Sequence, residues 1–202
     1  MTRHGVSGKE LQRALGVTYE CAWRVGHQIR QLMTLADGFE MLRGHVEADE
    51  AYVGGRHKGR PGRSTGKTVV MAIKQRGGKM HAETVPNAKL DTLRNVMLKT
   101  LQKGAIVSTD ELISYDLLAR DGYTHGTVKH SAKEYAYYDW QHGVMHHTNH
   151  VESFWRLFKK SVAGTHIHVS PKYMNRYLRE FTFRANHREM QNAMFDLLIG
   201  AI

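Results

Sequence analysis

Ala22, Val25, Ile29 and Met33 recur at intervals of three and four, the spacing that lines one face of an α-helix. Ahead of them, Ser7 and Glu10 have the form of a capping box. The Ser7 hydroxyl can accept from the third helical amide while Glu10 reaches back to the cap. This predicts a short helix over 7–15 that Gly16 ends, and a second helix capped by Thr18. Two short helices joined by a Gly-containing turn resemble a helix-turn-helix. Arg24, Gln28 and Arg30 lie on the second helix, where they could read or grip DNA. An ordinary helical hairpin would carry the same pattern.

The pattern then changes to that of strands. His45 to Val53 reads as a strand ending at Gly54-Gly55. Positions 54–67 hold five glycines, one proline and the bases Arg56, Lys58, Arg60, Arg63 and Lys67, so this stretch reads as a mobile basic loop that cannot pack a core. A second strand is predicted over Thr68 to Arg76, a two-residue hairpin turn at Gly77-Gly78, and a third strand over 79–85. Leu90, Leu93, Met97 and Leu101 return to helical spacing, and Gly104 ends that helix. Ala105-Ile106-Val107 is a buried strand by its length and Gly boundary. A short helix near 111–120, a weak strand over 124–129 and a polar, His-rich connection lead to Asn149. There a long helix begins, with apolar Val151, Phe154, Trp155, Phe158 and Val162. Ser170-Pro171 opens another helix in the favoured order of cap then proline, and a final helix spans roughly 189–199.

The order is three strands, helix, strand, helix, strand and C-terminal helices. It predicts an α/β mixed five-stranded sheet flanked by helices, in the element order of an RNase H-like fold. The reading divides the chain into a helix-turn-helix segment, 1–36, and a catalytic domain, 37–202.

Composition narrows the function. Among 202 residues there is one cysteine, Cys21, which excludes an internal disulfide and a cysteine-rich zinc module and fits a reducing cytoplasm. No apolar run is long enough for a membrane span, and the polar N-terminus does not read as a signal peptide. The formal charge of +10 suits a polyanion, with nucleic acid ahead of a membrane surface.

The candidate chemistry lies in acids. Asp49 sits in the first strand, Asp110 ends the fourth, and Glu152 lies on the first turn of the long helix. In this fold the three would converge at one edge of the sheet. Hard divalent cations prefer such oxygen ligands, and two ions can activate a water and stabilise a departing 3′ oxygen. Arg156, Lys159 and Lys160 share the Glu152 face of its helix and would place phosphate contacts beside a ligand. A plain Glu152–Arg156 ion pair gives the same spacing. Glu47, Glu50 and Glu111 compete with Asp49 and Asp110 on spacing alone.

Three segments resemble the DDE transposases of the ISXO2-like insertion sequences, bacterial relatives of the Merlin transposons. They are Val46-Glu47-Ala48-Asp49-Glu50-Ala51-Tyr52-Val53-Gly54-Gly55, Ser108-Thr109-Asp110-Glu111 and His147-Thr148-Asn149-His150-Val151-Glu152-Ser153-Phe154-Trp155. The resemblance continues through Gly164-Thr165, Tyr177 to Phe181 and Arg184 to Arg188, and reaches back to Gly16-Val17-Thr18. It implies that Asp49, Asp110 and Glu152 bind two Mg²⁺ or Mn²⁺ ions, that His130 and Asn149 line the site, and that the substrate is double-stranded DNA. Work on nucleoid DNA and a homodimer that holds two transposon ends together are implied with it. Family members commonly open with a cysteine-bearing zinc ribbon. This sequence shows none, which implies weaker recognition of the ends.

Three other readings compete. His142, His146, His147 and His150 have metal-compatible spacings, but in a polar loop without cysteines they read as solvated or phosphate-facing. His166-Ile167-His168 followed by Tyr173 and Tyr177 matches the short signature of tyrosine nucleases. A non-catalytic helix-turn-helix regulator explains the charge but gives Asp49, Asp110 and Glu152 no common role.

Overall fold

The β-branched run at the second strand and the Gly-bounded Ile106-Val107 build the centre of the molecule. The computed structural model describes residues 4–54, 67–111, 117–190 and 193–201. Its main sheet has five strands, β1 (His45–Val53), β2 (Thr68–Gln75), β3 (Met80–Val85), β4 (Ile106–Thr109) and β5 (Thr124–Thr127), in the order β3-β2-β1-β4-β5. The first three form an antiparallel meander, while β4 and β5 add parallel strands, so the sheet is mixed. Helices α1 (Gly8–Leu15), α2 (Tyr19–Asp37), α3 (Leu90–Thr100), α4 (Asn149–Ser161), α5 (Met174–Asn186) and α6 (Met194–Ile199) complete the α/β fold expected of an RNase H-like protein.

The chain forms two compact units. One contains 40–53 and 68–155. Its core gathers Val46 and Ala48 of β1, Met71 and Ile73 of β2, Leu93, Val96 and Met97 of α3 and Val107 of β4. This is the alternation of β1 and the helical spacing of α3 buried against each other. The β2–β3 turn is one residue longer than the expected pair of glycines. Gln75 still pairs with Lys79 through its N–H at 2.9 Å, so Arg76, Gly77 and Gly78 all lie in the connection.

The expected His-rich connection is a second, two-stranded sheet of β6 (Tyr137–Asp139) and β7 (Val144–His146). Tyr137 pairs with His146 and Tyr138 with Met145. The ring of His146 lies against the backbone of Gly126 on β5, where a Cβ would come within 2.4 Å of it. Only glycine accommodates that approach.

The other unit contains 1–39, 54–67 and 156–202. The Ser7–Glu10 capping box is present, and Gly16 ends α1 with φ 64°, the left-handed conformation that glycine adopts without strain. Thr18 caps α2 by accepting from the Cys21 amide. These helices do not stand apart from the C-terminal ones. Met33 of α2 shares a small core with Phe183 and Met194, and the Asp37 carboxylate accepts from Asn186. The 1–36 segment is therefore one side of a helical unit.

Candidate active site

The parallel register of β1 with β4 sets the acids. Glu47 lies opposite Ser108, and continuing that register brings Asp49 level with Asp110. Oxygen atoms of Asp49, Glu50 and Asp110 fall within 4.8 Å of one another. Burial, then the charges of Asp110, Glu50 and Glu152, push the Asp49 carboxyl up to about 8. Burial and the neighbouring acids together hold this carboxyl protonated, so ionising it calls for positive charge nearby. The donors are all oxygen and suit a hard divalent cation, which would supply that charge.

Glu152, on the first turn of α4, is close enough for its charge to raise the Asp49 carboxyl. Its amide donates to the Thr148 carbonyl at 3.0 Å, and its carboxylate accepts from the Thr148 hydroxyl at 2.6 Å. A buried threonine thus fixes both the helix start and the Glu152 side chain. His130 Nε2 lies 3.4 Å from the Glu152 carboxylate, and Asn149 is the exposed first residue of α4. Glu111, a competitor of Asp110 on spacing, is turned away. Its carboxylate accepts from the Ser131 amide and hydroxyl at 2.8 and 2.6 Å, which holds it below the usual range. Glu50 stays within the acidic group.

Two residues before Asp49, Glu47 has a different environment. It is 0% exposed. One oxygen accepts from Arg76 at 2.8 Å and faces His150 at 2.6 Å. The other accepts from the His150 and Val151 amides at the start of α4, at 2.8 and 3.3 Å. Burial would raise this carboxyl, but the bonds from His150 and Arg76 outweigh it and hold it low. Arg76, just after β2, also donates to the carbonyls of Met145 on β7 and of His147 just before α4. Glu47, His147 and His150 have the donor types and spacing for a metal site. The guanidinium and two amides already on Glu47 make that spot unfavourable for a cation.

The histidines are not uniformly solvated. His146 is buried, with Nδ1 2.8 Å from the Ser108 hydroxyl, which is itself 2.7 Å from His45 Nε2. Burial, then Arg76, brings His45 down to about 4, so it is neutral. His147 is largely covered beside Glu47, while His142 and His150 are exposed.

A family model described as the ISXO2-like transposase domain matches residues 41–186, well over half of the chain. The chain belongs to the ISXO2-like transposase family. An uncharacterized transposase-like protein of Haemophilus influenzae is 24% identical over 114 residues, which covers 56% of this chain and 86% of that protein.

For an ISXO2-like transposase, the basic positions matter next. Arg24 and Gln28 on α2 are exposed, as are Arg156, Lys159 and Lys160 on α4. Arg30 is a correction. It is 7% exposed, bonded to Glu180 at 2.8 Å, and stacked on Tyr177 at 4.1 Å. Its role is to satisfy Glu180 inside the helical unit, not to face DNA. Arg56, Lys58 and Arg60 lie outside the described residues.

The His166-Ile167-His168 pattern makes no nuclease site. His166 packs on Tyr177, which is buried, while Tyr173 packs on Trp23 and His27. Tyr177 is shut off from solvent, and the ring of Tyr173 is packed against its neighbours. Among the described residues no helix is long and apolar enough to cross a membrane.

Proposed function

We propose that this transposase is a DDE-type polynucleotidyl transferase with Asp49, Asp110 and Glu152 as its reacting-centre acids. The observation that carries the reading is the group of Asp49, Glu50 and Asp110 where β1 runs beside the end of β4, with the charge of Glu152 from α4 acting on Asp49. Asp49, Asp110 and Glu152 would hold Mg²⁺ or Mn²⁺, as two ions. Bound there, such ions would lower the pKa of a water and stabilise the departing 3′ oxygen.

The protein's own residues prepare that step. Asp49 would release its proton if a cation were bound beside it. Thr148 orients Glu152, and Glu47 fixes the start of the helix that carries it. His130 and Asn149 line the approach. Arg156, Lys159 and Lys160 offer charge to phosphates along α4, with Arg24 and Gln28 as further DNA contacts. Hydrolysis at a transposon end breaks the bond between phosphorus and the 3′ oxygen and leaves a 3′ hydroxyl. That hydroxyl attacks a phosphodiester of the target, and no protein–DNA bond forms. Joining two ends to one target requires two copies, so the working form is a homodimer on double-stranded DNA.

The test is nicking of duplex DNA with Mg²⁺, Mn²⁺ or EDTA. Asp49→Asn, Asp110→Asn and Glu152→Gln should each abolish metal-dependent nicking and keep DNA binding. Near-normal nicking by any one removes that residue from the centre.

A further inference from the structure

The β6–β7 hairpin presents a face that the chemistry above does not use. Strand alternation sends Tyr137 and His146 inward, where their rings stack at 5.1 Å. Tyr138 and Met145 therefore point outward as a pair, both exposed. Trp140 follows at the tip, 87% exposed, with its ring edge against Tyr138 at 4.6 Å. Tyr135, just before the hairpin, is 61% exposed. A soluble surface rarely leaves its largest aromatic side chains in water without a partner.

The stem beneath this face is fixed. The Asp139 carboxylate accepts from the Gln141 and His142 amides at 2.9 and 3.2 Å, which shapes the turn. Arg76 holds the Met145 carbonyl, and His146 is anchored to Ser108. A rigid support lowers the entropy lost when the rings bind something flat. The face also continues from the acidic site. The Tyr135 ring lies 5.5 Å from that of His130, whose Nε2 is 3.4 Å from Glu152. Lys129 and Lys133, both exposed, precede Tyr135 in the same connection, and the chain as a whole carries +10. Aromatic rings interleaved with bases form the surface on which unpaired nucleotides stack.

We propose that Tyr135, Tyr138 and Trp140 form a stacking platform for unpaired bases of the DNA strand that enters the acidic site. The proposal rests on the DNA-processing reading above, but not on cleavage. Lys129 and Lys133 would hold the phosphates, while the rings take the base faces, so the platform selects frayed or single-stranded ends without reading sequence.

The experiment measures binding in EDTA, so its outcome is separate from that of the nicking assay. Two duplexes of equal length are compared, one blunt and one with a few unpaired thymidines at one end. Wild type should favour the frayed duplex and show quenching of tryptophan emission, since of its three tryptophans Trp140 alone is exposed. Trp140→Ala should weaken frayed-end binding about tenfold and leave blunt-end binding unchanged. Trp140→Phe should recover much of the difference. The exposure of Trp140 means that neither change disturbs the fold. Equal preference in wild type and Trp140→Ala, or an equal loss on both duplexes, would overturn the proposal.

Discussion

Glu47 and Asp49 lie two residues apart on β1, and strand alternation directs both to the same side of the sheet. Glu47 is the more deeply buried, yet it is held low by a guanidinium, an imidazole and two helix amides. Asp49 is pushed up to about 8 because burial and three acids surround it. Burial alone does not mark a reactive carboxylate. The sign of its neighbours does. A buried acid met by positive charge anchors structure, whereas one met by other acids is suited to take up a cation.

The largest expected effect separates the two by activity. Asp49→Asn should reduce Mg²⁺-dependent nicking by roughly a thousandfold or more, as removal of a metal ligand at a phosphoryl-transfer site would. Glu47→Gln should keep measurable nicking. Equal loss in both would erase the contrast.

Stability should move the other way. Glu47→Ala strips the partner from Arg76 and from the start of α4, and should destabilise the protein by about 3–5 kcal/mol, the range for a broken buried ion pair. Urea unfolding would measure it. A midpoint that does not change would show that Glu47 anchors nothing.

A pH series sharpens the comparison further. With Asp49 raised to about 8, the folded protein holds a proton that the unfolded chain releases near pH 4. The Asp49 contribution therefore makes the protein without metal less stable as pH climbs from about 4 to about 8, and it levels off above that. In EDTA, Asp49→Asn should be more stable than wild type by a few degrees in Tm at pH 8 and converge with it near pH 4. Glu47 has the opposite sign. Its contribution is present at neutral pH and lost only on strong acidification. A constant gap between wild type and Asp49→Asn across this range would contradict the raised carboxyl.

The smallest effect concerns the bases, where the same contrast recurs. Arg30 is compensated by Glu180, whereas Arg156, Lys159 and Lys160 are exposed on α4. Replacing each exposed base by Gln should flatten the salt dependence of DNA binding by up to about 0.9 in log–log slope. Arg30→Gln should leave the slope unchanged and lower stability instead.

Much of this was readable before the structure. The strand end at Val53, the caps at Ser7 and Thr18 and the antiparallel meander of the first three strands follow from local spacing and turn chemistry, whereas the pairing of β1 with β4 follows only from the fold type. Asp49, Asp110 and Glu152 stood out by motif, and the β1–β4 register explains how the first two meet. Arg30 was misread because Ala22, Gly26, Arg30 and Met33 share the buried stripe of α2, and only Glu180, far along the chain, makes that stripe tolerate a charge. Glu47 could not be ranked against Asp49, since its partners are Arg76 and His150 and no local pattern announces them. The β6–β7 hairpin was missed because strands of three residues are too short to display alternation. The expectations for 54–67 and for the helix near 111–120 fall largely outside the described residues.

Among the described residues two groups could compete for a cation, Asp49-Glu50-Asp110 and Glu47-His147-His150, and a single titration distinguishes them. Calorimetric titration of Mn²⁺ into wild type, Asp49→Asn and Glu47→Gln tests the claim most directly. Binding should be lost in Asp49→Asn and kept in Glu47→Gln. Retention of wild-type Mn²⁺ affinity by Asp49→Asn, with loss in Glu47→Gln, would place the metal at the histidines and contradict the account.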